Sequence, residues 1–260
     1  MTYAEYDAIE AIRCSDLKLI GQSPAHYKAN KINPRPTTQA MLFGSLVHAL
    51  TLEPDKWREE FIVSPIVDRR TKAGKEKWAE FEEQVGNRTV IESKTLDAAD
   101  EVSSHILKHP ICWALLQGGE SEKVIQWEMN CVPCKARLDL YRPGWIVDIK
   151  TIASAEYTSF MRSCWNYKYH MQAAWYIDGV KAAGLGECNF VFIAVEKEPP
   201  YAVACYTPDT DMIAVGREEY LANMNTYLEC VENDNWPGIG WDYGEGRYEI
   251  QSICLPPWAF

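Results

Sequence analysis

The chain has 260 residues, of which 47% are hydrophobic and 24% are charged, and its formal net charge is −11. This is enough for one substantial globular domain, and the acidic balance excludes a protein whose whole surface attracts nucleic acid, although a local basic groove could still bind phosphates. No apolar run reaches the roughly 18 residues of a membrane span. No N-terminal apolar run precedes a cleavage site, so we expect a cytoplasmic protein with no membrane contact and with reduced cysteines.

The first part of the chain is expected to be mainly helical. Short helical pieces end at the break formed by Asn33-Pro34-Arg35-Pro36. Residues 39–52 then predict a buried helix, because they are apolar nearly all round. Gly44 within this helix costs about 1 kcal/mol relative to Ala, which indicates close backbone packing. His48 lies one turn later, and a lone buried histidine is more often a hydrogen-bonded core residue than a ligand.

A basic segment at residues 67–77 contains five basic residues and a glycine. It is expected to form a loop that leads into an amphipathic helix. The composition fits both a solvated surface loop and an arm that contacts phosphates, and composition alone favours the surface loop. Residues 89–117 predict a pair of helices.

Residues 123–151 predict a three-stranded meander. The first strand alternates between two faces, and the second and third are joined by a turn at Arg142-Pro143-Gly144-Trp145. Cys131 and Cys134 fit the turn between the first two strands. A lone C-x-x-C is a weak zinc signal without a second ligand pair, so a turn without metal is favoured.

The last hairpin of the meander carries two carboxylates and a lysine. Asp139 lies in its first strand, while Asp148 and Lys150 lie two residues apart in its second strand and therefore share a face. Charged side chains in otherwise apolar strands cost free energy. Either a mutual ion pair or a bound divalent metal could offset this cost, and Mg²⁺ prefers oxygen ligands of this kind. The spacing alone leaves both interpretations open.

The rest of the chain predicts helices at 156–164 and 169–183, strands at 190–195 and 201–206, and a long helix that opens at Pro208-Asp209 and runs to about Val231. In the second of these helices Gln172 and Tyr176 lie on one face. The apolar tail at 253–258 is expected to pack on the body. This order of elements predicts an α/β (α+β) fold with a central mixed sheet flanked by helices.

Four motifs in order resemble one enzyme family. Asp139 followed by Asp148-Ile149-Lys150-Thr151 resembles the core signature of PD-(D/E)XK nucleases, and residues 44–50 and 169–176 resemble the flanking motifs of the RecB-like branch. The likeness is closest to the RecE-type exonuclease domain (exonuclease VIII) of phages and prophages. It implies a single nuclease domain over 1–260 with a restriction-endonuclease-like core. Residues 1–120 would be the added helical part, and residues 121–260 the catalytic sheet and C-terminal helix.

The resemblance also implies a role for each residue of the constellation. The metal ligands would be His48, Asp139, Asp148 and the carbonyl of Ile149. For His48, this replaces the interpretation as a core residue. Lys150 would position or activate the attacking water, and Gln172 and Tyr176 would support the site and the scissile strand. Glu128 is a weaker candidate, because the face of its strand suits the site but the resemblance does not assign it a role.

DNA contacts are implied for the basic arm, and we assign them to Arg69, Arg70, Lys72 and Lys75, together with Arg137 on the hairpin. The resemblance implies Mg²⁺-dependent digestion of linear double-stranded DNA from 5′ to 3′, with Mn²⁺ as a substitute ion. The product would be a 3′ single strand for an annealing protein partner.

Relatives of this type form ring-shaped homo-oligomers, here expected to be trimers or tetramers, in the cytoplasm of a bacterial host. Some RecB-like nucleases carry an iron–sulfur cluster, but Cys205, Cys230 and Cys254 are too widely spaced for one to be expected. Two alternatives stay open, namely an endonuclease or nickase of the same fold and a non-catalytic DNA-binding module.

Overall fold

The computed structural model describes residues 3–254, so most of the apolar tail lies outside the described residues; Ile253 is almost fully exposed. Among the described residues, no helix is both long and apolar enough to cross a membrane. The elements in chain order are α1 (Tyr3–Asp7), α2 (Cys14–Gln22), α3 (Pro24–Ile32), α4 (Gln39–Leu52), α5 (Trp57–Glu60), β1 (Phe61–Val63), α6 (Lys72–Val85), β2 (Thr89–Ile91), α7 (Ser93–Lys108), α8 (Pro110–Leu116), β3 (Glu120–Met129), β4 (Val132–Arg142), β5 (Trp145–Ile152), α9 (Tyr157–Asn166), α10 (Tyr169–Ala182), β6 (Asn189–Glu196), β7 (Val203–Tyr206), α11 (Thr210–Asn233), β8 (Trp241–Asp242) and β9 (Arg247–Tyr248).

A five-stranded mixed sheet in the order β3-β4-β5-β6-β7 forms the centre. Strands β3, β4 and β5 are the predicted antiparallel meander, β6 lies parallel to β5, and β7 returns antiparallel to β6. The predicted fold class is therefore confirmed. The expectation of helix from residue 89 onward was wrong at its start, since 89–91 is strand β2, paired in parallel with β1.

Helices cover the sheet on both faces and divide the core in two. One cluster joins α2, α10 and α11 to the sheet through Leu17, Trp175 and Met224. The other joins α4 and α7 to the opposite face through Leu46 and Val102. Because β5 and β6 are buried on both faces, they read as nearly continuous apolar runs.

Helix α4 has the predicted bounds, and Thr38 caps it by accepting a hydrogen bond from the N–H of Met41. Its burial is less complete than predicted, because Met41 in the first turn is 60% exposed. The middle of the helix packs closely on β5. A Cβ added to Gly44 would lie 3.3 Å from Thr151 Oγ1, so glycine lets the helix approach the strand that carries Asp148 and Lys150.

Candidate active site

Strands β4 and β5 separate at the two predicted carboxylates. The last paired residues are Leu140 on β4 and Val147 on β5. Asp139 and Asp148 are the next residue on each strand beyond that pair, and they are not paired. Where the ladder stops, the Oδ2 atom of Asp139 accepts a hydrogen bond of 2.7 Å from the N–H of Ile149. A side chain of β4 thus takes the place of a backbone partner for Ile149.

His48 reaches the same point from α4. Its Nε2 atom lies 2.9 Å from the carbonyl oxygen of Ile149, and its Nδ1 atom lies 3.5 Å from Asp139 Oδ2. Groups from α4, β4 and β5 therefore meet at the backbone of Ile149, as the motif resemblance implies.

Asp148, Lys150 and Gln172 form a second group on the adjoining side. The Lys150 ammonium lies 2.6 Å from Asp148 Oδ2 and donates a 3.2 Å hydrogen bond to Gln172 Oε1. Gln172 in turn donates from Nε2 to Asp148 Oδ1 at 2.9 Å. The ion pair that the spacing allows is thus present, and Gln172 holds both of its members.

Burial and charge set the protonation of this pair. Burial is the main cause that raises the pKa of Asp148 to about 6; the charge of Lys150 opposes this rise, and the negative charge of Asp139 contributes to it. Burial alone would lower the pKa of Lys150, but the charges of Asp148 and Asp139 outweigh it, so the pKa is raised. Lys150 is therefore protonated at neutral pH.

Two tyrosines of α10 border the group. Burial and the charges of Asp148 and Asp139 raise the pKa of Tyr176 well above its usual value, so its hydroxyl stays neutral. Tyr169, which the sequence interpretation did not single out, lies under Lys150, with the ammonium 4.7 Å from its ring centre. Tyr169 is the first residue of the motif that contains Gln172 and Tyr176. Its place in that motif is the sequence signal that could have identified it.

Glu122 is an acidic neighbour of the site that the sequence did not reveal. Burial first, and then the charge of Asp139, raise the pKa of Glu122 to about 7. Its Oε2 atom lies 2.7 Å from Nε of Arg137, which places the predicted DNA contact Arg137 beside the site and in an ion pair. Glu122 has a positive φ of 53° and directly precedes Lys123, where the predicted strand began, so the sequence assigned it to no strand face.

The structure does not bring Glu128 into this group. Glu128 is exposed and pairs with Pro133 near the turn of the hairpin, whereas Glu122 lies opposite the Asp139 level of β4. The sequence thus pointed to the correct strand, β3, but Glu128 lies at the end of β3 that is far from Asp139.

The predicted basic arm is exposed and forms the start of α6. Its contacts are local: Arg70 pairs with Asp68, Lys72 lies 3.9 Å from Glu76, and the Arg69 guanidinium lies 4.1 Å from the Trp78 ring centre. Lys75 is also exposed. The expected loop is therefore partly helical, with Lys72 and Lys75 on the helix. None of these contacts links the arm to Asp139 or Asp148, and DNA binding by the arm stays a prediction.

The donor set fits a hard divalent cation. Asp139, Asp148 and the Ile149 carbonyl offer oxygen, and the Oδ2 atom of Asp148 is buried without a well-oriented hydrogen bond to any described residue. Adjacent ligands of an octahedral ion bound at 2.0–2.1 Å lie about 3 Å apart, and His48 Nε2 and Ile149 O are separated by 2.9 Å. His48 could bind through Nε2 while its Nδ1–H faces Asp139, an arrangement that fixes metal-bound histidines.

A model of the PDDEXK-like domain of unknown function DUF3799 matches residues 13–242, which include every one of these site residues. The chain belongs to this family. The predicted membership of the PD-(D/E)XK superfamily, whose nucleases use divalent metal ions, is thereby confirmed. No curated protein sequence matches this PDDEXK-like chain.

Solved structures share the fold at low sequence identity. The crystal structure of a candidate exonuclease from Eubacterium rectale is 16% identical, with a TM-score of 0.65, over 97% of this chain and 94% of that one. A phage-related exonuclease from Haemophilus somnus 129PT is 12% identical over 86% of this chain and 96% of that one, with a TM-score of 0.35. The first likeness supports the PDDEXK-like fold over nearly the whole length.

Proposed function

We propose that this protein is a Mg²⁺-dependent exodeoxyribonuclease that digests linear double-stranded DNA. The observation that carries the proposal is the arrangement of Asp139 and Asp148 on two separating strands, with Lys150 held between Asp148 and Gln172. Family membership supports phosphodiester hydrolysis, and the description of the E. rectale protein supports an exonuclease.

Each residue has a distinct task in this proposal. His48, Asp139, Asp148 and the Ile149 carbonyl would hold the divalent ion, which stabilises charge on a phosphoryl group and lowers the pKa of a bound water. Lys150 keeps its proton and orients the attacking water beside the scissile phosphate. Gln172 fixes Lys150 against Asp148, and Tyr176 supplies a neutral hydroxyl beside the carboxylates.

The finer parts of the proposal rest on motif resemblance. The enzyme would act from 5′ to 3′, as a ring of three or four copies, and would leave a 3′ single strand for an annealing protein. It would accept Mn²⁺ in place of Mg²⁺ and would work in the cytoplasm of a bacterial host, encoded by a phage or prophage. The exposed Arg69, Arg70, Lys72 and Lys75 would contact the duplex, and Arg137 would contact it beside the site.

The deciding experiment is digestion of end-labelled linear duplex with Mg²⁺, in which the shortening strand reveals the polarity. Asp148→Ala should abolish digestion while circular dichroism shows a folded protein. Glu128→Ala, which removes an exposed carboxylate from the same sheet, is the matched control and should stay active. Full activity of Asp148→Ala would refute the site.

Closed circular duplex separates the proposal from its alternatives. Cutting of closed circles would replace the exonuclease with an endonuclease or nickase of the same fold. Tight DNA binding by the native chain without cleavage in Mg²⁺ or Mn²⁺ would instead indicate a non-catalytic binding module. Sedimentation analysis would test the ring separately, since a monomer would exclude the ring and leave the chemistry standing.

A further inference from the structure

Away from the carboxylates, three side chains with soft donor atoms converge between α8 and the edge of the sheet. The thiols of Cys112 and Cys205 lie 3.4 Å apart, and the ligand atoms of His109, Cys112 and Cys205 all lie within 4.8 Å of one another. A disulfide would require about 2.05 Å between the sulfurs. Two thiolates bound to a tetrahedral zinc at about 2.3 Å would lie roughly 3.8 Å apart, so only a small adjustment is needed.

The three donors come from two elements that the chain brings together over a long distance. His109 is the N-cap of α8 and lies one helical turn from Cys112, while Cys205 lies on the edge strand β7. Cys112 is fully buried, whereas His109 and Cys205 are partly exposed, so an ion could reach the cluster. Cys205 pairs with Ile193, which pairs with Ile149, and this places the cluster about 10 Å from the candidate active site along one row of the sheet.

We propose that His109, Cys112 and Cys205 bind one zinc-like transition-metal ion, with water in the fourth position. Two sulfur donors and one imidazole select a softer ion than the oxygen donors around Asp148 do, so the two sites would hold different metals. The ion would fasten α8 to the edge strand β7, which otherwise has β6 as its one neighbour in the sheet.

Metal analysis of the full chain, purified under reducing conditions and dialysed into Mg²⁺, tests this site. We expect about one zinc per chain, lost in Cys112→Ser and in Cys205→Ser. Cys188→Ser, which removes another partly exposed thiol, is the control and should retain the metal. Replacement by Co²⁺ should give a thiolate charge-transfer absorption that Cys112→Ser lacks.

Two results would overturn this site. One is a protein without transition metal whose nine thiols all react with a thiol reagent, or whose Cys112 and Cys205 form a disulfide. The other is undiminished zinc in both cysteine variants. Thermal unfolding adds a second measurement, because a strong chelator should lower the Tm of the parent and leave that of Cys112→Ser unchanged.

A second surface feature lies beside the candidate active site. We call it the aromatic strip: Tyr157, Met161 and Trp165 on one face of α9, followed by Tyr167. These four side chains are 53–63% exposed, although the opposite face of the same helix buries Phe160 and Cys164. An exposed apolar stripe of this kind marks a surface that binds something.

The strip leads to the catalytic lysine through ring contacts. The Tyr167 ring lies 5.7 Å from the Tyr169 ring, and the Lys150 ammonium lies 4.7 Å above Tyr169. Cations accompany the rings: Lys168 lies 4.5 Å from the Trp165 ring centre, and Lys18 lies 5.9 Å from that of Tyr169. Lys168 is paired with Glu219 at 2.8 Å and would exchange this partner for a phosphate. Rings for stacking and cations for phosphates are the two components of surfaces that bind single-stranded nucleic acid.

We infer that the aromatic strip binds the unpaired bases of a single DNA strand that leads to or from Lys150. This inference rests on the proposed nuclease function, because it assigns the substrate strand to a path. The strip would stack bases without reading their sequence, since every base offers a flat face.

Binding of a labelled single-stranded oligonucleotide in the Asp148→Ala background, with Mg²⁺, tests the strip. Trp165→Ala should weaken binding roughly 5- to 100-fold for the loss of one stacked base. Trp113→Ala, which removes an indole of similar exposure from α8, is the matched control and should bind as the parent does. Tyr167→Ala should follow Trp165→Ala.

Equal affinity of Trp165→Ala and Trp113→Ala would overturn the inference. So would a change of oligomeric state in Trp165→Ala, because the strip would then be an interface between copies. A parent that digests duplex but does not bind single strands would refute the strip alone. A protein that neither digests nor binds DNA would refute the proposed function itself.

Discussion

At the scale of single residues, the candidate site is built on a backbone position rather than on a reactive side chain. The N–H of Ile149 is bound by Asp139 and its carbonyl lies against His48. The N–H and C=O of a strand residue point to the same neighbouring strand, so both groups became available when β4 turned away. The side chain of Ile149 is buried and packs in the core. The position therefore combines the carbonyl that we propose as a metal ligand with a side chain that packs in the core.

Gln172 gives the first prediction at this scale. Its amide bridges Asp148 and Lys150, so Gln172→Ala leaves both charges in place but unsupported. We expect kcat on linear duplex to fall by about 10- to 100-fold, since a lost hydrogen bond to a charged group corresponds to roughly 1.5–3 kcal/mol. Steady-state kinetics measures the effect, and Gln126→Ala, at an exposed glutamine of β3, should be neutral. An unchanged kcat would remove Gln172 from the site.

Glu122 gives a prediction about pH and stability. Its pKa is about 7 in the folded protein against a usual 4.5, with burial as the main cause, so the folded state binds its proton more tightly than the unfolded state. The stabilising contribution is complete below pH 4.5 and is lost as the pH rises through 7. Glu122→Gln cannot ionise, so its free energy of unfolding should not fall in this pH range for this reason.

Urea unfolding in a chelator should therefore show the stability of Glu122→Gln rising relative to the parent between pH 4.5 and 7, by on the order of 2 kcal/mol. Glu128→Gln is the control, because its carboxylate is exposed on the same strand. A difference that does not vary with pH would show that Glu122 has an ordinary pKa.

At the scale of elements, α10 is held in place by α11 at one point of very close approach. A Cβ added to Gly216 on α11 would lie 2.3 Å from the carbonyl oxygen of His170 on α10, and backbone there cannot yield cheaply. Gly216→Ala should therefore cost about 1–3 kcal/mol of stability, as measured by urea unfolding.

The same change should lower nuclease activity, because α10 also carries Gln172 and Tyr176. Gly238→Ala is the control: the nearest atom to its added Cβ would be 3.5 Å away, which is an ordinary contact. Stability equal to the parent in Gly216→Ala would mean that the two helices shift apart freely, contrary to their packing here.

Sequence patterns predicted those elements whose own residues carry a long periodic signal. The apolar run of α4 predicted where this helix begins and ends, and Pro143-Gly144 predicted the turn between β4 and β5. The spacing of Asp148 and Lys150 predicted that both side chains lie on one face of β5. Short elements such as β1 and β2 were missed, because three residues carry no period and the two strands meet only after α6 has intervened. Glu122 was missed because the predicted strand began only at Lys123, one residue further along the chain.

Contacts made only by tertiary packing were also beyond the sequence. Lys18 lies on α2 and belongs to no motif, yet it is 5.9 Å from the ring on which Lys150 lies. Burial lowers the pKa of Lys18, and Lys150 adds to this effect. Likewise, Cys112 and Cys205 are 93 residues apart in the sequence, and no sequence pattern predicts that α8 and β7 are in contact. The motif resemblance located the carboxylates, while such neighbours required the folded chain.

At the scale of the whole molecule, charge is the constraint on DNA binding. The net charge of −11 repels a polyanion at long range, so any binding must come from local groups. At the start of α6 the basic arm presents Arg70, in the turn before the helix, and Lys72, the first helical residue; their side chains are 91% and 93% exposed. Each has an acidic neighbour, which it would exchange for a phosphate on binding. Exposed ion pairs of this kind contribute little to folding, so removing these cations should leave the fold intact.

Arg70→Ala combined with Lys72→Ala should therefore weaken duplex binding without changing the Tm. Each phosphate contact contributes about 0.9 to the slope of log K against log salt, so two lost contacts should reduce the slope by roughly 1.8. Fluorescence anisotropy with a labelled duplex, over a salt series and in the Asp148→Ala background, measures this slope. Lys94→Ala with Lys181→Ala is the matched control, because both are exposed lysines paired to glutamates. If the two double variants have the same slope, α6 contributes nothing to DNA binding and the arm is ordinary protein surface. If the first double variant alone shows the smaller slope, the acidic molecule binds its substrate through a cationic element outside the catalytic sheet.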